Sequence, residues 1–169
     1  MYHSFGLGVK TGIDLPIESL GYSSKDKAAG NLLDFVMEQY ETYTPIQLSQ
    51  YVTTIANGGE RIRPHLLKEV HKSSSTEEIG PLEKKIEKEV LNTVDTKKEY
   101  MERVQEGFKA VLNSPGGYGV GYMDKSMKPA GKTGTSQSFI DTDGNGIIDT
   151  ETITSSFIGY APKKKKKMS

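Results

Sequence analysis

The chain has 169 residues, 34% hydrophobic and 26% charged, with 22 Lys and Arg balancing 22 Asp and Glu. That is enough for one domain with a real core, and no apolar run approaches the roughly 20 residues that cross a bilayer. Residues 163 to 167 are all lysine, which leaves 17 positive against 22 negative charges elsewhere; this mildly acidic body argues against nucleic-acid binding, and the absence of Cys excludes disulfides, thiolate metal sites and a Cys nucleophile.

In chain order, MYHSFGLG carries neither the charged nor the apolar block of a signal peptide. Any export signal is expected to lie outside this chain. Residues 5 to 22, FGLGVKTGIDLPIESLGY, mix Gly and Pro with isolated apolar anchors and predict an ordered, winding connection. NLLDFVMEQYETY is a short apolar run that leaves helix and strand both open. TPIQLSQYVTTIANGG predicts a helix, with Thr44 as N-cap, Pro45 at the first position and Gln47 completing a capping box. Leu48, Tyr51, Val52 and Ile55 repeat along one face, and Gly58 and Gly59 end it.

ERIRPHLLKEV predicts an extended or hairpin segment in which Pro64 is barred from a central ladder position. Residues 72 to 92, rich in Ser, Glu and Lys, predict a surface excursion. A second helix is predicted from Asp95 or Thr96, with Met101, Val104, Phe108, Val111 and Leu112 on one face and a stop at NSPGG. After Pro129, AGKTGTSQSF and TITSSFIGYAP predict an antiparallel strand pair around a Gly/Asp loop. Helices followed by a sheet give an α+β class.

KPAGKTGTSQSF, residues 128 to 139, invites a phosphate-loop reading. The pattern G-x-x-x-x-G-K-[ST] fails, because Ser126 stands at the first glycine position and Thr133, Gly134, Thr135 and Ser136 are poor helix formers. As a strand, the same residues place Thr133 and Thr135 on one face, where two hydroxyls reach one carboxylate. Lys132 adds a positive field, and Gly134 lets another backbone approach. The tripeptide alone leaves an ordinary Gly-containing strand equally open.

DTDGNGIIDTE sets Asp141, Asp143, Asn145 and Asp149 at the spacing of a calcium loop, with Gly146 at the turn. Position twelve holds Thr152 instead of Glu, so two readings stand: a weak Ca2+ site, or a polar hairpin turn built on Asp and Gly. His3, His65 and His71 are too scattered for a metal site, and Tyr40, Tyr43 and Tyr51 are expected in core or interface positions.

KTGT is the K-T-G box of penicillin-binding proteins and serine β-lactamases. Together with GVKTGIDLP, TPIQLSQYVTTIANGGERIRPHLL, VQEGFKAVLNSPGG and SSFIGYAP in that order, it resembles the C-terminal half of a class B penicillin-binding protein transpeptidase domain, over residues 1–162. The resemblance implies a partial penicillin-binding protein/β-lactamase-like fold, with helices packed on an incomplete antiparallel sheet. It also implies acyl transfer from the D-Ala-D-Ala end of peptidoglycan stem peptides, with β-lactams acylating the same serine and no cofactor required. It assigns catalytic roles to Lys132, Thr133, Gly134 and Thr135, with the Thr135 N–H as half of an oxyanion hole. Its substrate-binding set is Lys132, Thr133, Thr135 and Ser136.

The family's S-x-x-K and S-x-N boxes depart from this pattern. No S-x-N occurs, and the one S-x-x-K, Ser24 to Lys27, sits in a polar stretch on the wrong side of the order of blocks, so Ser24 is rejected as nucleophile. The nucleophile and the membrane anchor are expected in an N-terminal part outside this chain, on the extracytoplasmic face of a bacterial membrane. The fragment alone is expected to be inactive and, with unpaired sheet edges, to self-associate. Residues 163–169 are read as a lysine-rich tail. The alternative functions are a D,D-carboxypeptidase or β-lactamase relative, or a non-catalytic β-lactam-sensing module.

Overall fold

The computed structural model describes residues 2–23, 41–75 and 77–161. In chain order its elements are β1 (Tyr22–Ser23), β2 (Glu41–Thr42), α1 (Pro45–Ala56), β3 (Glu60–Ile62), β4 (Glu69–His71), β5 (Leu82–Lys85), β6 (Val90–Thr93), α2 (Lys98–Asn113), β7 (Ala130–Ile140) and β8 (Thr150–Tyr160), with 3-10 turns at Tyr2–Phe5 and Lys125–Met127. The strands pair antiparallel as β1–β2, β3–β6, β4–β5 and β7–β8. This is the α+β class expected. Two compact units result, one of residues 1–21 and 43–95, the other of residues 22–42 and 96–169. No helix among the described residues is long and apolar enough to cross a membrane.

In the first unit, α1 begins as its sequence predicts. Thr44 Oγ1 accepts the Gln47 N–H at 3.3 Å, and Gln47 Oε1 accepts the Thr44 N–H at 3.0 Å. Val52 and Ile55 are buried, as the apolar repeat requires, but so are Gln47, Gln50 and Thr54. The reason lies in the segment before it. Residues 6–21 form no ladder, so their carbonyls need donors from elsewhere. Gln47 donates to the carbonyls of Val9 at 2.9 Å and Leu20 at 3.4 Å, and Gln50 donates to those of Thr11 at 3.1 Å and Ile62 at 2.9 Å. Arg61 adds a fork, from Nε to Gln50 Oε1 at 3.0 Å and from Nη2 to the Lys10 carbonyl at 2.7 Å.

Glu18 closes the segment on itself by accepting the N–H groups of Thr11 at 2.7 Å and Gly12 at 3.3 Å. Burial pushes its carboxyl up, but the hydrogen bonds from Thr11 and Gly12 outweigh that and hold it below the usual range. Asp14 accepts the N–H groups of Leu66 and Leu67 at 2.7 and 3.0 Å, and those two bonds, Leu67 first, lower its pKa.

The stretch ERIRPHLLKEV is extended but makes no hairpin with itself. Its two strands, β3 and β4, pair outward with β6 and β5, in a nested arrangement with irregularities at Arg61/Ile62 and Val70/His71. Strand β5 and most of β6 fall within residues 72 to 92, the stretch expected to be a surface excursion. LEKK offers no apolar alternation and is exposed throughout, so its strand state comes from pairing rather than burial.

His71 closes the β4–β5 connection. Its Nδ1 lies 2.8 Å from the Gly80 carbonyl and its Nε2 lies 3.3 Å from Glu69 Oε2. Both partners only accept, so only the imidazolium donates to both. The Gly80 carbonyl, then Glu69, raises the His71 pKa, while His71, then Lys68, lowers that of Glu69. A raised folded-state pKa gives stability that is complete below the unfolded value of about 6.5 and is lost as pH rises through the folded value. Thermal unfolding followed from pH 6 upward should show that loss in the wild-type chain and not in H71Q.

In the second unit, β1 and β2 form a two-residue pair, with the Tyr22 N–H donating to Thr42 Oγ1 at 2.8 Å. The rest of the run left open between helix and strand, together with Ser24 and Tyr40, lies outside the described residues. The second helix, α2, starts at Lys98 rather than at Asp95 or Thr96, and its extended N-cap, Lys97, makes no side-chain capping bond. The chain stays extended through buried Val94, whose N–H donates to the Gly59 carbonyl at 2.9 Å. On α2 the buried stripe is Met101, Phe108 and Leu112, whereas Val104 is 43% exposed. The helix packs on β7, and the Phe108 ring meets that of Tyr160 at 6.2 Å.

Candidate active site

Lys132, Thr133, Gly134, Thr135 and Ser136 all lie on β7, which runs without a register break against β8 from Ala130↔Tyr160 to Ile140↔Thr150. No helix begins at the lysine, so a phosphate loop has no N-terminus to offer here. The strand period sets Thr133 and Thr135 on one face, opposite Phe157 and Ser155, and sets Lys132, Gly134 and Ser136 on the other. Thr133 is half-buried, while Lys132, Thr135 and Ser136 are exposed. Lys132 Nζ donates to the Thr133 carbonyl at 2.5 Å. Among the described residues β8 is the one strand paired with β7. Alternate backbone N–H and C=O groups on the other edge therefore face outward, the geometry that an extended peptide completes.

Three glycines keep this hairpin close-packed. A Cβ on Gly131 would stand 2.6 Å from Phe157 Cζ and 2.8 Å from the Ile158 carbonyl, and one on Gly159 would stand 2.9 Å from the same ring. The Phe157 ring therefore covers the Gly131–Gly159 cross-strand pair. A Cβ on Gly134 would fall 2.5 Å from Ser156 Oγ. Gly131→Ala must expel the ring, and it is expected to destabilise the hairpin by about 1–3 kcal/mol, the usual cost of overpacking. G131A in urea denaturation checks this. A shift under about 0.5 kcal/mol, the scale of surface substitutions, would mean the ring has room to move.

The loop of residues 141–149 brings the four acidic and amide candidates together in one turn. Asp141 accepts the Gly144 N–H at 2.7 Å and the Gly146 N–H at 2.8 Å. Asp143 accepts the Asn145 N–H at 3.1 Å and its Nδ2 at 2.9 Å, and Asn145 Oδ1 accepts the Ile147 N–H at 2.7 Å. Asp149 Oδ1 accepts from the Thr150 hydroxyl at 3.3 Å. The Gly146 N–H, ahead of Gly144, holds the Asp141 carboxyl below its ordinary pKa, against a smaller burial effect. Gly144 and Gly146 take φ of +75° and +84°, as the turn needs. Among the described residues no group of three or more His, Cys, Asp or Glu is arranged to hold a metal ion.

The tripeptide Lys-Thr-Gly also occurs at residues 10–12. There Thr11 is fully buried, Gly12 sits at φ +80°, and the backbone is wrapped around Glu18. One tripeptide thus serves a buried turn in one place and an open strand in the other. Neighbouring residues tell them apart: the first copy is followed by Ile-Asp-Leu-Pro, the second by Thr-Ser-Gln-Ser.

Over residues 1–169 the chain matches the family model described as the penicillin binding protein transpeptidase domain. It belongs to the penicillin-binding protein transpeptidase family. Penicillin-binding protein 2A of Bacillus subtilis is 48% identical over 162 residues, which cover 95% of this chain and 22% of that protein. The peptidoglycan D,D-transpeptidase MrdA of Acinetobacter baumannii is 28% identical over 177 residues, covering 95% of this chain and 25% of its own. A solved structure of penicillin-binding protein 2B from Streptococcus pneumoniae strain R6 superposes with a TM-score of 0.78 at 31% identity, over 95% of this chain and 26% of that one. The chain thus spans about a quarter of the length of these penicillin-binding proteins, and its α+β architecture is a part of their transpeptidase fold.

Proposed function

We propose that this chain is the C-terminal, KTG-bearing part of a peptidoglycan D,D-transpeptidase, which cross-links stem peptides by acyl transfer from D-Ala-D-Ala. The observation that carries this reading is Lys132-Thr133-Gly134-Thr135 on an extended, open-edged strand, in a chain that matches the family along its whole length. The peptide lies along the outer edge of β7. Its terminal carboxylate is held by the hydroxyls of Thr133 and Thr135, with Ser136 beyond them and the Lys132 ammonium supplying positive field. The Thr135 N–H stabilises the oxyanion as the acyl group passes from D-Ala to a serine outside this chain, and D-alanine leaves with the serine's proton. The same strand takes β-lactams, whose ring opens as the acyl–serine bond forms. The intact protein acts on the outer face of the membrane through an anchor also outside this chain.

Covalent labelling by a fluorescent penicillin tests the reading. The intact protein should be labelled and residues 1–169 alone should not. Labelling of the isolated chain would place a nucleophile within it, and failure to label the intact protein would overturn the assignment. Release of free acid rather than transfer to an amine would identify a carboxypeptidase instead.

A further inference from the structure

The position of β7 is set by residues outside it. The Asp124 carboxylate accepts the Ser126 N–H at 2.8 Å and its hydroxyl at 2.7 Å, and the N–H groups of Met127 and Lys128 close back on the carbonyls of Asp124 and Lys125 at 3.1 and 3.0 Å. Lys128 then takes φ 49°, ψ 53°, the one non-glycine positive φ among the described residues. Such a conformation is strained for a residue with a side chain and persists where its surroundings over-determine it. Next comes buried Pro129, whose carbonyl accepts a hydrogen bond from Asn113 Nδ2 at 2.8 Å. The same amide donates to the Lys109 carbonyl, also at 2.8 Å, in the last turn of α2. A single side chain therefore ties the end of the helix to the entrance of the strand, three residues before Lys132.

Pro129 and Ala130 are buried against the protein, so packing holds one side of that entrance. A cleft of about 410 Å³, lined by Lys109, Asn113, Lys128, Pro129, Ala130 and Tyr160, opens beside it. The Tyr160 hydroxyl, on the residue across from Ala130, is buried without a hydrogen-bond partner among the described residues. With open space on the other side, the directional bond from Asn113 adds to that packing what the cleft side lacks.

We propose that Asn113 is a positioning residue for the active-site strand: its amide sets where β7 starts, and so where Lys132, Thr133 and the Thr135 N–H stand. This rests on the functional reading above. It follows because the strand is continuous from Ala130 onward, so that a shift at Pro129 is carried along it without a bulge to absorb it. Misplacement of reacting groups by about 1 Å can cost on the order of a hundredfold in rate.

N113D in the intact penicillin-binding protein is the test, because it keeps the shape and removes the donor. The acylation rate constant with fluorescent penicillin should fall roughly ten- to a hundredfold, with a smaller change in the concentration giving half-maximal rate. N113Q, which can still donate, should recover part of the rate. M101A, which removes buried volume at the far end of α2, serves as the control: it should lower the melting temperature and leave acylation near wild type. Amide exchange should quicken in N113D at whichever of Gly131 and Lys132 donates into the β7–β8 ladder, whether or not the wild-type protein is acylated. Wild-type acylation in N113D, or unchanged exchange at that ladder amide, overturns the positioning role. A wild-type protein that is not acylated at all, with exchange altered in N113D, would sink the functional reading and leave the positioning of the strand standing.

Discussion

Gln50→Ala is expected to destabilise the first unit by about 2–4 kcal/mol, the largest effect on stability of any single substitution considered for this chain. The Gln50 amide donates to the carbonyls of Thr11 and Ile62, and its oxygen accepts from Arg61 Nε. Truncation strands all three partners at once, the Thr11 carbonyl in a buried place, and an orphaned buried group costs more than the bond it lost contributed. Ile62 belongs to β3 and Thr11 to the winding segment, so the loss falls on bonds that join helix, strand and connection. Leucine should do no better than alanine, since its shape fits but its surface offers no donor. Arg61→Lys should also be costly, because an ammonium cannot reach Gln50 Oε1, the Lys10 carbonyl and Asn92 Oδ1 as the guanidinium fork does. Chemical denaturation of the two variants and the Q50A/R61K double variant checks this. Because the two side chains bond each other, the double variant should lose less than the sum of the singles. Full additivity would mean the network is not a unit.

The same residues show what the sequence could and could not reveal. Thr44, Pro45 and Gln47 announced the start of α1, because capping is a local interaction written within four residues. The β7–β8 pair was legible from β-branched and aromatic alternation on either side of a Gly/Asp loop. The buried role of Gln50 was not legible, since the carbonyls it serves lie 12 and 39 residues away and a polar residue on an apolar helix reads as solvent-facing. Strands β5 and β6 were hidden for a related reason: their stability comes from partners distant in sequence, and LEKK carries no period of its own. The K-T-G box was legible, yet the tripeptide at residues 10–12 shows that its chemistry depends on the strand that displays it. Asn113 gave no signal, because its partner carbonyl on Pro129 becomes adjacent only when α2 packs on β7.

Replacing Lys132 by Met in the intact penicillin-binding protein should lower the rate of acylation at least about a hundredfold while leaving the fold intact. The side chain is exposed and its one bond is to the neighbouring Thr133 carbonyl, so its loss should move stability by no more than about 0.5 kcal/mol. On the proposed reading, what it removes is the positive charge beside the substrate carboxylate and the developing oxyanion. Thr133→Val and Thr135→Val remove one hydroxyl each at nearly constant shape. A hydrogen bond to a charged group contributes about 1.5–3 kcal/mol, so each change should lower acylation roughly ten- to a hundredfold. The three substitutions are separated by their response to the substrate. A D-Ala-D-Ala peptide with an amidated C-terminus lacks the charge that the hydroxyls hold, so the valine variants should process it at nearly the wild-type rate for that peptide. The Lys132→Met variant should still be slow, because the oxyanion forms whether or not the terminus is charged. Equal losses on both peptides for all three variants would show that the threonines support the strand rather than touch the substrate, and the carboxylate would then have to be held by residues outside this chain.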